Sequence, residues 1–442
     1  MDYEEQAITG IIDGSSVVFH EQGFQFTFIP SAIKDDIVTL PSQDSYIFGA
    51  THARKRIAIY AGEQGLPVFH SMRYIAPLYV VSEMNKPDLN IGRFSRLFLV
   101  GGVLNNLLKT RSLKETIGEN NAILIDRAIC REEYSFSTNE YSCKLFIGLT
   151  TTDTMKYHSY SYSEDAYIIM EFDKPQPLSS LMSHYRRVNQ AISFMTHRRE
   201  NQIGEIKIDT SINPEEHYVG RCLVHIREND MAKAHQNTVV SFDQLGDGFA
   251  NLLRIIYNSK ENSPSYSLGF IPRNDDEQWS ITDDTVRTIT SALECEIQAQ
   301  KDLQINQSPE LFALCKSVKQ LIRDHKEHHH DNPVISDETY NMVFNSIGNW
   351  TNATSERIIA LFHKFDSEMN LYFQEDDRIN EADIRALVKY RNSITHGNYR
   401  EMTPEIRKTV IVMKLLVYTS LLSRIGVSIT KADDISALSI IY

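Results

Sequence analysis

The chain has no run of about 18 apolar residues, so nothing in its 442 residues reads as a membrane-spanning helix. Its first residues, Met1-Asp2-Tyr3-Glu4-Glu5, are acidic where a secretory leader is basic and then apolar. Cysteine is scarce and odd in number. Cys130, Cys143, Cys222, Cys295 and Cys315 are scattered and form no Cys-x-x-Cys pair. That argues against a disulfide scaffold and a cysteine zinc site, and for a reducing cytoplasm. No Gly-Lys-Ser/Thr follows the Gly101-Gly102 pair, so no nucleoside-triphosphate loop is implied. There is also no Gly-x-Ser-x-Gly nucleophile elbow and no His-Glu-x-x-His zinc helix. Exact repeats and low-complexity tracts are missing too.

Net positive charge is a further absence. The formal charge is −13, divided as −8 over residues 1–280 and −5 over residues 281–442. A protein that grips nucleic acid through its overall field is usually basic, so any RNA here must be held in a local basic cleft.

What is present sorts along the chain. The length suggests about three domains. Val17-Val18-Phe19, Phe24 to Ile29, Tyr46-Ile47-Phe48, Arg56 to Tyr60, Leu78 to Val81, Leu97 to Val100 and Ala122 to Ile125 are short runs rich in β-branched and aromatic residues. They predict a β-rich domain over residues 1–150. A mixed α/β domain is expected over 151–257, with strands at Cys143 to Leu149, Ala166 to Phe172, Ile203 to Ile208 and Cys222 to Ile226. Leu178, Leu181, Tyr185, Val188, Ile192 and Met195 follow helical spacing, and Phe242 to Tyr257 reads as another helix. Residues 258–280, with Asn262-Ser263-Pro264-Ser265, read as a linker.

From 281 to 442 the pattern is all helical, and the fold class expected for the whole is α+β multidomain. The first helix runs from about Asp283 to Leu303 with Val286, Ile289, Leu293 and Ile297 on one stripe. A second opens at Ser308-Pro309-Glu310, a third spans Ser336 to Gly348 and a fourth Thr354 to Phe373. A fifth starts at Asn380, with Asp383 placed to reach back as in a capping box. The last begins at Thr403-Pro404, closes at Gly426 and is apolar on more than one face, which reads as a dimer surface.

The fifth helix ends in Arg391-Asn392-Ser393-Ile394-Thr395-His396-Gly397, the strongest candidate for chemistry. It sets a permanent cation beside a titratable acid/base. Residues five apart in a helix are rotated by about 140° net. Arg391 and His396 therefore converge only if the helix ends between them, or if a second copy completes the site. Gly397 is well placed to stop the helix. The plainer reading is that Arg391 pairs with an acid such as Asp383 or Glu294, while His396 caps the helix carbonyls.

Arg391-Asn392-x3-His396-Gly397 in a C-terminal helical bundle, with Tyr390 just before it, resembles the HEPN ribonucleases, whose motif is Arg, four to six residues, then His. The whole arrangement is similar to the Apea-like HEPN proteins of bacterial anti-phage defence. The resemblance covers about Ile281–Arg424; over residues 1–280 it is architectural only. It implies a HEPN helical bundle and a cytoplasmic, metal-independent endoribonuclease that acts in abortive infection without a cofactor. The resemblance also implies a homodimer through the C-terminal bundle, with two Arg-His sets facing one cleft. RNA, transfer RNA included, would be the substrate, and the N-terminal region would sense a phage-derived trigger. Arg391 and His396 would be catalytic, Asn392 would orient the histidine or bind phosphate, and Glu294 would match an acidic residue of the first bundle helix. Arg186, Arg187 and Tyr390 are candidate RNA contacts; the first two share a basic stretch with His197-Arg198-Arg199. The competing reading is a non-catalytic HEPN dimer whose β-rich region binds a ligand or protein. His325, His328, His329 and His330 form a tempting metal cluster, but a solvated helix end before Asn332-Pro333 is the simpler account, and no metal is expected.

Overall fold

A computed structural model describes residues 7–12, 15–30, 38–39, 46–51, 53–60, 67–68, 72–86, 89–109, 113–117, 123–127, 131–156, 159–210, 220–258, 268–278, 280–300, 303, 309–328, 335–350, 354–373, 378–398 and 400–431. The chain is mixed α/β, with a large antiparallel sheet in the N-terminal half and helices in the C-terminal half. It divides into two compact units: residues 1–259 with 271–275, and residues 260–270 with 276–442.

In the N-terminal unit, the strands expected from sequence join into one sheet, except the one expected at Ala122 to Ile125, which is Ile123–Arg127 and pairs with Leu113–Ile117 in a separate two-stranded sheet. Among the described residues the large sheet has thirteen strands, all paired antiparallel. Their order is Arg131–Ser137, Ser142–Lys156, Ser159–Pro177, Arg93–Val100, Glu205–Thr210, Gly220–Ile226, Leu78–Ser82, Arg56–Tyr60, Tyr46–Thr51, Ala7–Ile12, Ser15–Gln22, Gln25–Pro30 and Met72–Ile75. Residue 150, the expected domain boundary, falls inside the strand Ser142–Lys156. Arg93–Val100 lies between Ser159–Pro177 and Glu205–Thr210, so strands from either side of that boundary alternate in one sheet. Local alternation marks a strand but carries no information about which distant strand it joins.

Arg93–Val100 shows how the core face is set. Phe94, Leu97 and Leu99 are fully buried, and the odd spacing between the first two comes from a register shift between Phe94 and Arg96. A bulge there re-aims the side chains by one position. The helix Leu181–Thr196 packs its expected apolar stripe, with Tyr185, Val188 and Ile192 at or below 1 % exposure. The helix expected over 242–257 is two, Phe242–Leu245 and Gly248–Asn258, broken at Gly246. Gly102 holds φ +62°, and a Cβ there would sit 2.3 Å from the Gln202 carbonyl oxygen. The Gly101-Gly102 pair thus serves close backbone packing. Within the expected linker, Leu268, Phe270 and Ile271 are buried; 259–267 lie outside the described residues.

The C-terminal unit contains Asp283–Ala299, Pro309–His328, Asp337–Trp350, Thr354–Lys364, Asp366–Met369, Glu381–Thr395 and Pro404–Arg424. Asp283–Ala299, Thr354–Lys364, Glu381–Thr395 and Pro404–Arg424 pack on one another, and Pro309–His328 packs with Asp337–Trp350. The stripe Val286, Ile289, Leu293 and Ile297 is buried as expected. The helix expected to reach Phe373 is interrupted at Phe365, and the one expected to stop at Gly348 continues to Trp350. The last helix departs from expectation in a way that matters. Val412, Met413, Leu415, Leu416 and Val417 are each at most 2 % exposed, so its apolar excess is covered within the chain and offers no open dimer surface.

A buried histidine makes the N-terminal unit pH-sensitive. His184 is 2 % exposed and packed against the rings of Phe94, Phe172 and Tyr141, with Nδ1 2.9 Å from the Tyr257 hydroxyl. Burial, aided by the nearby Arg187 charge, lowers its pKa from 6.5 to about 3. Above pH 6.5 the imidazole is neutral in both folded and unfolded chains. Below it the unfolded chain takes up a proton that the folded one refuses, so stability falls on acidification toward pH 3. His184→Asn keeps an acceptor for Tyr257 and removes the titration. Urea unfolding at pH 7.5 and 5.5 should show the variant losing about 1.4 kcal/mol less than wild type between the two pH values.

Candidate functional site

The motif helix is fixed at both ends. At its start Asn380 accepts from the Ala382 and Asp383 amides, and the Asp383 carboxylate accepts from the Asn380 amide at 2.9 Å. This is the capping box expected from sequence, and it removes Asp383 as the partner of Arg391. Ile384, Leu387, Val388 and Ile394 turn inward. At its end Gly397 adopts φ +75°. The Gly397 amide donates to the Ile394 carbonyl at 3.3 Å, and the Asn398 amide reaches back to Ser393 at 2.9 Å. That pair of bonds is the Schellman closure, which needs a left-handed residue just past the cap and therefore favours glycine.

A second group secures the same end. Arg287, from the opening helix Asp283–Ala299, donates from Nη2 to the Ile394 carbonyl at 2.9 Å. Capping of the carbonyls thus falls to Arg287 and not to His396. On the same helix Asp283 accepts from the Tyr390 hydroxyl at 2.6 Å. Tyr390 is 3 % exposed, so the ring expected to meet RNA is an internal anchor between helices. Asp283, Arg287 and Glu294 are spaced by four and seven residues, one face of a helix whose other face is apolar. That spacing makes a charged stripe that is legible in the sequence.

Glu294, the acid matched to the motif, faces Arg391. Its Oε1 lies 3.6 Å from Arg391 Nη2, with both side chains about 30 % exposed. Arg391 Nη1 also donates to the Asn392 side-chain oxygen at 3.3 Å. A long, half-exposed ion pair of this kind contributes about 0–1 kcal/mol, so the guanidinium is held but not consumed. His396 is exposed at the C-cap, and its imidazole has no hydrogen-bond or ion-pair partner among the described residues. The His396 amide still bonds the Asn392 carbonyl at 3.1 Å, so the helix does not end between Arg391 and His396. In one chain the two side chains leave the helix about 140° apart.

The other expected contacts lie in the N-terminal unit. Arg186 pairs with Glu228 at 2.7 Å, and the Arg187 guanidinium sits 4.9 Å from the Tyr257 ring centre. His197 is fully buried with φ +55°, and Arg198 is 7 % exposed with its pKa lowered by burial. His197 and Arg198 are therefore internal, while Arg199 is exposed. On the histidine-rich helix end, His325 Nδ1 meets the Tyr340 hydroxyl at 2.6 Å and His328 Nδ1 donates to the Asp324 carbonyl at 2.7 Å; His329 and His330 lie outside the described residues.

Comparison with family models, with curated proteins and with solved structures found no match.

The closure makes a test. Nothing lies within 4 Å of a Cβ placed on Gly397, so only backbone strain opposes a side chain there. Gly397→Ala should destabilise the C-terminal unit by about 1 kcal/mol, and Gly397→Asn by less, because asparagine tolerates the left-handed region. Chemical denaturation of the full chain reads both.

Proposed function

We propose that the C-terminal unit is a HEPN module and that the protein is a metal-independent endoribonuclease of anti-phage defence, acting in the cytoplasm in abortive infection. The β-rich unit would sense the trigger and regulate the bundle. The observation that carries this reading is a His396 imidazole without a partner among the described residues at a doubly closed helix end, five residues past an arginine that an acid from the neighbouring helix holds only weakly.

The chemistry follows from the groups. The ribose 2′-oxygen attacks phosphorus, the O2′–P bond forms and the P–O5′ bond breaks. One proton leaves the 2′-hydroxyl and one reaches O5′, and no water is consumed. An imidazole can perform both transfers. Arg391 offers a planar fork to the phosphate oxygens and would exchange Glu294 for the phosphate as charge develops. Because Arg391 and His396 point apart in one chain, the site is composite: two copies face each other and each supplies what the other lacks. Asn392 is exposed and already holds Arg391, so it acts as an orienting group. RNA is the substrate class, transfer RNA included.

Two observations favour a second reading. Arg391 is already paired with Glu294 and the chain carries a charge of −13, which suits a non-catalytic dimer that presents a protein- or ligand-binding surface.

Wild type, Arg391→Ala and His396→Ala incubated with total cellular RNA and EDTA separate the two. The nuclease reading expects discrete cuts by wild type with 2′,3′-cyclic phosphate ends, and a loss of at least about a hundredfold in each variant with unchanged thermal unfolding. Cleavage that needs added metal, or that survives His396→Ala, removes it. Silence of wild type with and without phage-infected lysate favours the binding reading.

A further inference from the structure

The sheet stops at Arg131–Ser137, which among the described residues pairs on one side only, with Ser142–Lys156. The helix Gly248–Asn258 packs against this strand. Between them lies a cleft of about 650 Å³, lined by Glu133, Tyr134, Ser135, Asp247, Ala250 and Asn251, with Lys144 at one side. Glu133, Tyr134 and Ser135 are consecutive, so their side chains alternate between the two faces of the sheet. What the three share toward the cleft is the strand's backbone edge. Asp247, Ala250 and Asn251 are spaced by three and four residues, one face of the helix.

A backbone edge beside a helix, with room between, is the arrangement in which an extended peptide adds as one more strand. The volume is within the range of ligand sites, about 300–1,000 Å³. Seven residues of edge span about 23 Å, enough to pair six or seven residues of a partner.

The charge chooses among partners. Glu132 and Glu133 lie on the strand, and Asp243 and Asp247 approach from the helical side. Asp243 is exposed and accepts from the Lys109 amide at 2.9 Å. The carboxylates of Glu132, Asp247 and Asp243 all bear on the Tyr134 phenol, whose pKa is raised first by burial and then by them; Tyr134 donates to Glu132. Against these four acids stand Lys144, 3.8 Å from Glu133, and Arg131, whose guanidinium lies over the Phe146 ring. The field is negative, which disfavours a nucleic acid. It also disfavours a second copy of the same edge, because two acidic strands would repel across the ladder.

We propose that this cleft captures an extended basic peptide segment of a partner protein, which adds as a strand to Arg131–Ser137 and places lysine or arginine side chains against Glu133 and Asp247. The site lies wholly in the N-terminal unit and does not rest on the ribonuclease reading.

The test uses the full chain and a random octapeptide library displayed on phage, panned in parallel on wild type and on Glu133→Lys/Asp247→Lys. Both positions are exposed, so the fold should hold, and circular dichroism with thermal unfolding checks that it does. The expected result is enrichment of peptides rich in lysine and arginine. Synthetic copies should bind wild type at least about tenfold more tightly than the variant. They should also slow hydrogen exchange across Arg131–Ser137. No enrichment on wild type, enrichment of neutral or acidic peptides, equal binding to the variant, or unchanged exchange in that strand each overturns the proposal.

Discussion

A helix end is stable only when its last carbonyls are satisfied, and in this protein that requirement falls on Gly397 and Arg287. Unpaired carbonyls at a helix terminus recruit water or the nearest donor. The left-handed turn at Gly397 supplies two backbone amides to the carbonyls of Ser393 and Ile394, and Arg287 adds a charged donor to Ile394. With the carbonyls occupied, the imidazole is left without a structural task. Arg287 is itself positioned by the apolar stripe of its helix, so the freedom of His396 depends on burial of Val286, Ile289 and Leu293 on the opposite side.

Two glutamates on that opening helix show how environment assigns different roles to the same side chain. Glu296 is fully buried, accepts from Ser420 Oγ at 2.9 Å and meets Arg424 Nη1 at 3.4 Å. A buried carboxylate with such partners is costly to disturb, because breaking the pair strands a charge in a dry interior. Glu294, two positions earlier, is turned about 200° away and meets Arg391 at 3.6 Å with water at hand. Its attraction is screened and weak. Glu296 ties the first and last helices together, while Glu294 orients a cation that another anion can claim.

Much of this was legible in the sequence, and the limits are physical. The capping box at Asn380 and Asp383, the glycine stop at 397 and the stripe from Val286 to Ile297 are local patterns whose cause lies within a few residues, and each is as expected. The strands were also visible, but their partnership was not. Arg93–Val100 pairs with Ser159–Pro177 and with Glu205–Thr210, both far off in the chain, and nothing in an alternating run names its distant neighbour. Tyr390 was misplaced for a related reason. A tyrosine carries an apolar body and a polar tip, and only the position of Asp283 decides that both are used inside. The last helix misled by its composition: apolar on every side is the mark of a central helix as much as of an interface.

Charge gives the two units their separate chemistry. The formal charge is negative over both 1–280 and 281–442, and at long range such a field repels RNA. Yet at physiological salt exposed charges are screened beyond about 8 Å, so recognition is decided by the groups within that radius. Around the motif they include Arg391 and Arg287 together with Glu294 and Asp283. At the sheet edge they are four carboxylates against Lys144 and Arg131. Under the proposed function the same screening would shield the motif from the protein's overall charge, and it confines the sheet edge to short-range partners. A ligand for that edge must therefore bring its own backbone hydrogen bonds along with its positive charge, since charge alone would not hold it.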